Sequence, residues 1–328
     1  MVVVSVRWER RDGDHVRGVR FNDDGMKSSD WLRLIALSLV WGSVFLFVSL
    51  AVGSIPQFTL VFLRVGLAAA GFWLVIALTG RRMPRNRRLW GEFLVSGLIT
   101  NAIPFSLITW EQTRVEGGIA SVLNAMTPCF VVVLAHFFTK DEKLSVRKAA
   151  GVLVGFLGAY VLMSPDLQGG LSMRGLGQLA GLAASLTHAI AGIYGKRFRD
   201  LSPLVAATGM LTCAALWLLP VAVLVDRPWD MQPDATAVGA VVALALLTVA
   251  AYLLYYRILP SAGATNLMLA TLLAPVFAHI LGAAVLGEPL YATSVAGMFI
   301  IVIGMLVMDG RLLQRLRGGR AGAGTATT

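Results

Sequence analysis

The chain has 328 residues, 57% hydrophobic and only 14% charged, where a soluble protein keeps roughly a quarter of its residues charged, so it cannot cover a water-facing surface. Its net charge of +10 does not indicate a nucleic-acid partner, because the Lys and Arg residues sit in short connections and tails between apolar runs. Those runs are too long and continuous for barrel strands, which alternate at period two; about 20 apolar residues make one helical crossing, so the fold class is all-α integral membrane.

The first 30 residues mix Arg7, Arg10, Arg11, Arg17 and Arg20 with Glu9, Asp12, Asp14, Asp23 and Asp24. They lack an apolar stretch followed by a small-residue cleavage site, so they are not a signal peptide. They read as a disordered tail. Met26 opens a second start, MKSSDWLRL, so residues 1–25 are expected to be dispensable. Apolar windows bounded by charges, Gly and Pro then place ten helices at 31–51, 57–79, 90–109, 118–138, 147–163, 175–195, 203–224, 237–257, 263–286 and 291–308. The short connections make consecutive helices antiparallel. Residues 310–328 form a second tail. Cys129 and Cys213 fall inside spans and imply no disulfide framework. The chain has no GxxxxGK[ST], no HExxH and no Cys/His cluster of metal spacing, so neither nucleotide-driven pumping nor a metal or other cofactor is expected.

Alternate connections differ in charge. The N-tail, 80–89, 139–148, 196–202, 257–262 and the C-tail hold nearly all the Lys and Arg, including Arg81, Arg82, Lys140, Lys143, Lys196, Arg257 and Arg311. The intervening set, 52–56, 110–117, 164–174, 225–236 and 287–290, holds only Arg114, Arg174 and Arg227. Over short loops this asymmetry fixes orientation and predicts both termini in the cytoplasm.

The chain repeats itself. A shift of 147 (188 − 41) carries Trp41 onto His188, Asn101 onto Thr248, Phe105 onto Tyr252 and Pro128 onto Pro275. A shift of 146 (288 − 142) then carries Glu142 onto Glu288, Gly151 onto Gly297 and Gly158 onto Gly304. Each half, 31–163 and 175–309, holds five helices, an odd number, so the second must enter the membrane inverted. Inverted repeats place a binding site near the midplane between the halves.

WGSVFLFVSLAVGSIPQFTLVFLR, the Pro128 and Pro275 helices each followed by a Glu-Lys/Pro-Leu step, and TVAAYLLYYRIL resemble the drug/metabolite transporter superfamily, nearest to its ten-helix EamA-type exporters. The likeness covers residues 31–309. It implies a monomeric basket of two five-helix halves in the plasma membrane, with a central cavity and alternating access. It further implies export of amino acids, other metabolites or drugs. KDEKL departs from the family's usual Leu-Gly-Glu step, and His188 stands where relatives often carry an aromatic. The first-helix stretch WGSVFLF holds no acid, whereas the related small multidrug exporters couple protons through a buried carboxylate.

Trp41, Asn101, Asn124, His188, Thr248 and Tyr252 are the expected cavity lining, since residues paired by the repeat register near mid-helix should face one another about the axis. Asn266 belongs to the same class of in-span polar groups, and any of them can instead be helix-to-helix glue. His188 is either a neutral imidazole bound to a neighbouring helix or a group that titrates during transport. Arg64 either locks the fold through a carbonyl or helix end, or binds a substrate carboxylate through its planar fork; the structural reading is adopted and places it outside the pocket. His136 and His279 are packing or interfacial groups. Pro128 and Pro275 are candidate gating hinges, or static kinks. Gly151, Gly155 and Gly158, with Gly297 and Gly304, should let the fifth and tenth helices pack closely and join the halves. The expected partners are a neutral, zwitterionic or weakly cationic small molecule and the lipid bilayer. A non-transporting scaffold or receptor would have a filled core. An intramembrane lipid-modifying enzyme would need a convergent acid/base or metal set, for which in-span His, Glu and Asp are too sparse.

Overall fold

The computed structural model describes residues 28–138, 144–167, 172–198 and 200–309, without the side chains of 28, 259–266 and 268. Residues 1–27 and 310–328 of the tails, Glu142 with the KDEKL residues before Leu144, and the Asn266 side chain lie outside the described residues. Ten helices are long and apolar enough to cross a membrane: α1 Ser29–Val52, α2 Gln57–Leu78, α3 Arg87–Gln112, α4 Gly117–Phe138, α5 Val146–Leu167, α6 Met173–Phe198, α7 Pro203–Asp226, α8 Ala235–Ile258, α9 Leu269–Leu286 and α10 Ala292–Asp309. No strand occurs among the described residues. Every crossing anticipated from the sequence is present. Leu74, Leu153, Leu246 and Phe299 are among the large apolar side chains left exposed on the bundle, as lipid contact requires.

The ends are written in local chemistry. The Asn86 side chain accepts from Arg88 N–H, Ser172 from Gly175 N–H and Asp234 from Ala237 N–H, each satisfying a donor that the first helical turn leaves free. Gly287 adopts φ 67°, where a side chain would be strained, and turns the chain sharply after α9.

Two helices are interrupted. In α3, residues Leu98–Ala102 form a wide π-helical turn just before Pro104. A proline ring clashes with the carbonyl four residues back and offers no N–H, and the wide turn absorbs both faults. In α4 the helix breaks at Ala125–Met126, ahead of Pro128. Around Pro275 the helix is unbroken, so the two repeat-related prolines act differently on their helices.

Helical structure is continuous from Ala235 to Leu281, 47 residues. That is about 70 Å of helix, more than twice the roughly 30 Å hydrocarbon core, and the packing shows how it fits. Ala237 and Leu244 cluster with Val48 and Ala51. Ile258 and Leu267 both cluster with Leu34 and Leu37 at the other end of α1, and Ala274 and Ala278 lie beside Gly42. The segment therefore passes α1 twice in opposite senses, as α8 and α9.

The packing has pseudo-twofold character. α1 packs on α8 and α9 of the other half, while its repeat mate α6 packs on α3 and α4. α2 packs on its own mate α7, and α5 on its mate α10. The α5–α10 contact is a close glycine seam. A Cβ on Gly158 would meet the Gly297 carbonyl and Ile301, and one on Gly304 would meet the backbone of Gly155 and Gly151. Backbones this near gain dispersion contact that lipid cannot match. Gly155 also faces Cys129 of α4. Two faces result: a terminal face, carrying residues 28 and 309, and a distal face opposite.

Candidate functional site

Where the halves meet, six helices bring polar and aromatic side chains together. The Arg64 Nε of α2 donates to Thr248 Oγ1 of α8 at 3.2 Å. The Thr248 hydroxyl donates to the Leu244 carbonyl one turn back. The Arg64 guanidinium lies 4.0 Å from the centre of the Phe105 ring, a cation–π contact. Phe105 meets His188 of α6 edge-on at 6.1 Å, and His188 Nδ1 lies 3.3 Å from Asn124 Oδ1 of α4. The Tyr252 hydroxyl donates to Asn101 Oδ1 at 3.5 Å. Tyr252 then continues through Tyr256 and Tyr255 to Trp41 of α1 as a run of ring contacts.

Of the six residues singled out in the sequence, Asn101 and Tyr252 are paired, and so are Asn124 and His188. Thr248 joins them through Arg64 and Phe105. Trp41 stands at the edge, connected through the Tyr255 ring and packed with Leu34 and Leu37. The helix interruptions matter here. Asn101 sits within the wide turn of α3, and Asn124 is the last residue before the break in α4. Asn101 Nδ2 and His188 Nε2 are buried with no partner among the described residues, so each retains an unused polar atom.

Arg64 is not where the sequence reading put it. It is bonded to Thr248 and stacked on Phe105, both within the group, instead of standing apart among packed helices. It is only 6% exposed, and the described ion pairs are Arg33–Asp30, Arg88–Glu92 and Arg174 with Glu116 and Asp166, none of which involves it. A buried cation without an anion is costly. The arrangement therefore presents a forked, positively charged donor set flanked by aromatic rings. The histidines at the edges are packing groups. His136 accepts from Leu144 N–H, and His279 stands against Gly118 with its Nδ1 near the Pro275 carbonyl.

Glu111 falls outside the apolar window 90–109 and within the connection 110–117 of the sequence, but α3 continues through Gln112. The signal was present: Ile108, Glu111 or Gln112, and Val115 recur at helical spacing on one buried face.

On the distal face a second polar network ties the halves together. Glu288, between α9 and α10, accepts from Gly117 and Gly118 N–H at 3.1 and 3.3 Å, where the first turn of α4 welcomes an anion. Arg174 forks onto Glu116 and also donates to Asp166. Gln178 donates to Asp166, and the Tyr291 hydroxyl to Glu116. The Glu116 charge pushes the Tyr291 phenol above its ordinary range. Ser49, Gln112, Glu116, Arg174 and Glu288 border a cleft of about 290 Å³ on this face. The α2–α7 pair is fastened at both ends, by Asp226 accepting from Thr59 N–H and by Arg81 donating to Ser202.

Comparison with known proteins places this geometry. The EamA-like transporter family matches the chain twice, over residues 31–164 and 175–308. An uncharacterized inner membrane transporter, YedA, of Escherichia coli (strain K12) is 28% identical over 283 residues, covering 84% of this chain and 89% of the relative. The uncharacterized transporter YoaV of Bacillus subtilis (strain 168) is 22% identical over 278 residues, covering 84% and 95%. A protein crystal structure shares the fold with a TM-score of 0.64 at 20% identity, covering 87% of this chain and 98% of that one.

Proposed function

The chain belongs to the EamA-like transporter family, and on that premise we propose that it exports small organic solutes carrying a single carboxylate, amino acids foremost, by alternating access between its two halves. One observation carries the substrate class: a buried guanidinium, Arg64, that meets a hydroxyl and an aromatic ring but no carboxylate among the described residues. A solute carboxylate supplies the missing anion in the fork geometry that Arg recognises. Asn101, His188 and Asn124 offer hydrogen bonds to its remaining polar atoms. Trp41 and the tyrosines offer apolar walls, as small-molecule sites usually do. A multivalent anion fits less well, because no second cation joins Arg64 in this group.

The Lys/Arg distribution supports placing the terminal face, with both termini, in the cytoplasm of a cell that holds the protein in its plasma membrane. In that orientation the distal network closes the outer side. The test is transport into and out of reconstituted vesicles with a panel of radiolabelled amino acids, simple monocarboxylates and cationic drugs. Movement of carboxylate-bearing solutes, competed by one another, is the expected result. Movement of cations alone would overturn the reading.

A further inference from the structure

Glu111 is fully buried, 0% exposed, one residue from the distal end of α3. Both of its carboxylate oxygens lack a hydrogen-bond partner among the described residues. It lies against α6, where a methyl group on Gly181 would overlap both oxygens. Gly181 is about 12 Å along α6 from Met173 at 1.5 Å per residue. The carboxyl is therefore enclosed between two helices, well below the face.

Among the described residues no counter-ion answers Glu111. Arg114, beyond the end of α3, is exposed, with its stem on Gly177 and its guanidinium toward Trp110. On α6, Arg174 is engaged by Glu116 of α4 and Asp166 of α5, and His188 faces Phe105 and Asn124. Glu288 is held by the start of α4, and Arg64 of α2 by Thr248 and Phe105. α1 presents Ser49, which donates to Gln112. Among the described residues no group donates to Glu111. An ionised carboxylate enclosed without donor or cation is far more costly than a neutral acid. The closed arrangement thus accommodates Glu111 as –COOH and penalises –COO⁻.

We propose that Glu111 is the proton-binding site that couples this carrier to a pH gradient. This rests on the reading of the chain as a solute transporter. The step is Glu111–COO⁻ + H⁺ → Glu111–COOH, with the proton taken from the distal water through the cleft that Gln112 borders, and the reverse step releasing it toward the terminal side. The mechanical connection is direct. α3 carries both Glu111 and Phe105, and α6 carries both Gly181 and His188, two turns apart. Ionisation makes the α3–α6 contact untenable, and parting these helices also parts Phe105 from His188. Proton binding and the solute centre are thereby linked through the same pair of helices, so that a proton moving inward drives a solute outward.

Two measurements decide it. Infrared difference spectra of the reconstituted protein between acid and alkaline buffer should show a protonated-carboxyl C=O band that is missing from Glu111→Gln. In vesicles, accumulation of a carboxylate solute should rise with the pH gradient in the native protein, and Glu111→Gln should not respond to the gradient. An unchanged infrared band in the variant, or accumulation that tracks the gradient as in the native protein, overturns the proposal. Should Glu111→Gln fail to fold, Gly181→Ala serves instead. Its methyl group presses on the carboxyl and should move the midpoint of the infrared titration, and an unmoved midpoint overturns the assignment. If no solute of the panel moves in the native protein, the transport reading falls on its own, while the infrared band still decides whether Glu111 holds the proton.

Discussion

A guanidinium inside a membrane domain is stable only if something answers its charge, and Arg64 has a ring and a hydroxyl for that purpose. Lysine in its place keeps the charge but loses the planar fork and the stacking on Phe105. Arg64→Lys should therefore weaken half-saturation for carboxylate solutes about tenfold, near 1.4 kcal/mol, and leave membrane insertion intact; equal transport kinetics would remove Arg64 from the site. His188→Ala and Tyr252→Ala each take away a side chain that links helices of opposite halves, His188 to Asn124 and Tyr252 to Asn101. Both should lower transport more than they lower the yield of folded protein, measured by size-exclusion chromatography in detergent. The reverse ranking would mean that these contacts serve packing. At this scale the repeat register sets Asn101 against Thr248 and Phe105 against Tyr252, whereas in the fold Asn101 accepts from Tyr252, Thr248 accepts from Arg64, and Phe105 meets Arg64 and His188. It did not show that Arg64 reaches across to Thr248, because a contact between residues 184 positions apart has no local signature.

Among the elements, the α5–α10 seam has the most direct sequence origin. Glycines at 151, 155 and 158 recur at helical spacing, and their counterparts at 297 and 304 follow from the repeat. In the fold they leave no room for a side chain: a Cβ on Gly155 would meet Cys129 Sγ at 2.7 Å, and one on Gly304 would meet Gly155 N at 2.6 Å. Gly155→Leu should cost about 1–3 kcal/mol by overpacking against Cys129 of α4, read as a lower melting temperature in detergent, whereas loss of transport in an equally stable protein would contradict a packing role for this glycine. The prolines show the limit of pattern reading. Pro128 and Pro275 are equivalent in register, yet only the first lies beside a broken turn. Proline removes one hydrogen bond in either case; whether a helix opens there depends on neighbouring helices that re-satisfy the freed carbonyl. Pro104 and its wide turn in α3 follow the same logic. On the distal face, Glu288→Ala removes the anion from the first turn of α4. It should loosen the contact of Glu288 with the start of α4 by about 1 kcal/mol, seen as faster labelling by an impermeant thiol reagent of a cysteine placed at Gln112.

For the whole molecule, the proposed orientation in the membrane rests on the distribution of Lys and Arg. Cysteines placed at Arg85 and Lys143 should react with an impermeant reagent only after the cytoplasmic side is opened, and cysteines at Thr113 and Trp229 in intact cells. Labelling of both Arg85 and Lys143 positions from outside would invert the orientation. A chain beginning at Met26 should insert and transport as the full chain does, and loss of its expression would give the first 25 residues a role. The sequence by itself determined that the chain crosses the bilayer ten times in two inverted halves, since hydrophobic length, loop charge and internal register are one-dimensional properties that the bilayer converts directly into topology. It also set glycines at helical spacing on both α5 and α10. Only the tertiary structure decided that Arg64 joins the polar centre, that Pro128 lies at a break and Pro275 does not, and that Glu111 is enclosed against Gly181. The physical reason is common to all three. The cost of a charge or an open turn is set by what a neighbouring helix offers it, and that neighbour is brought by folding from a distant part of the chain.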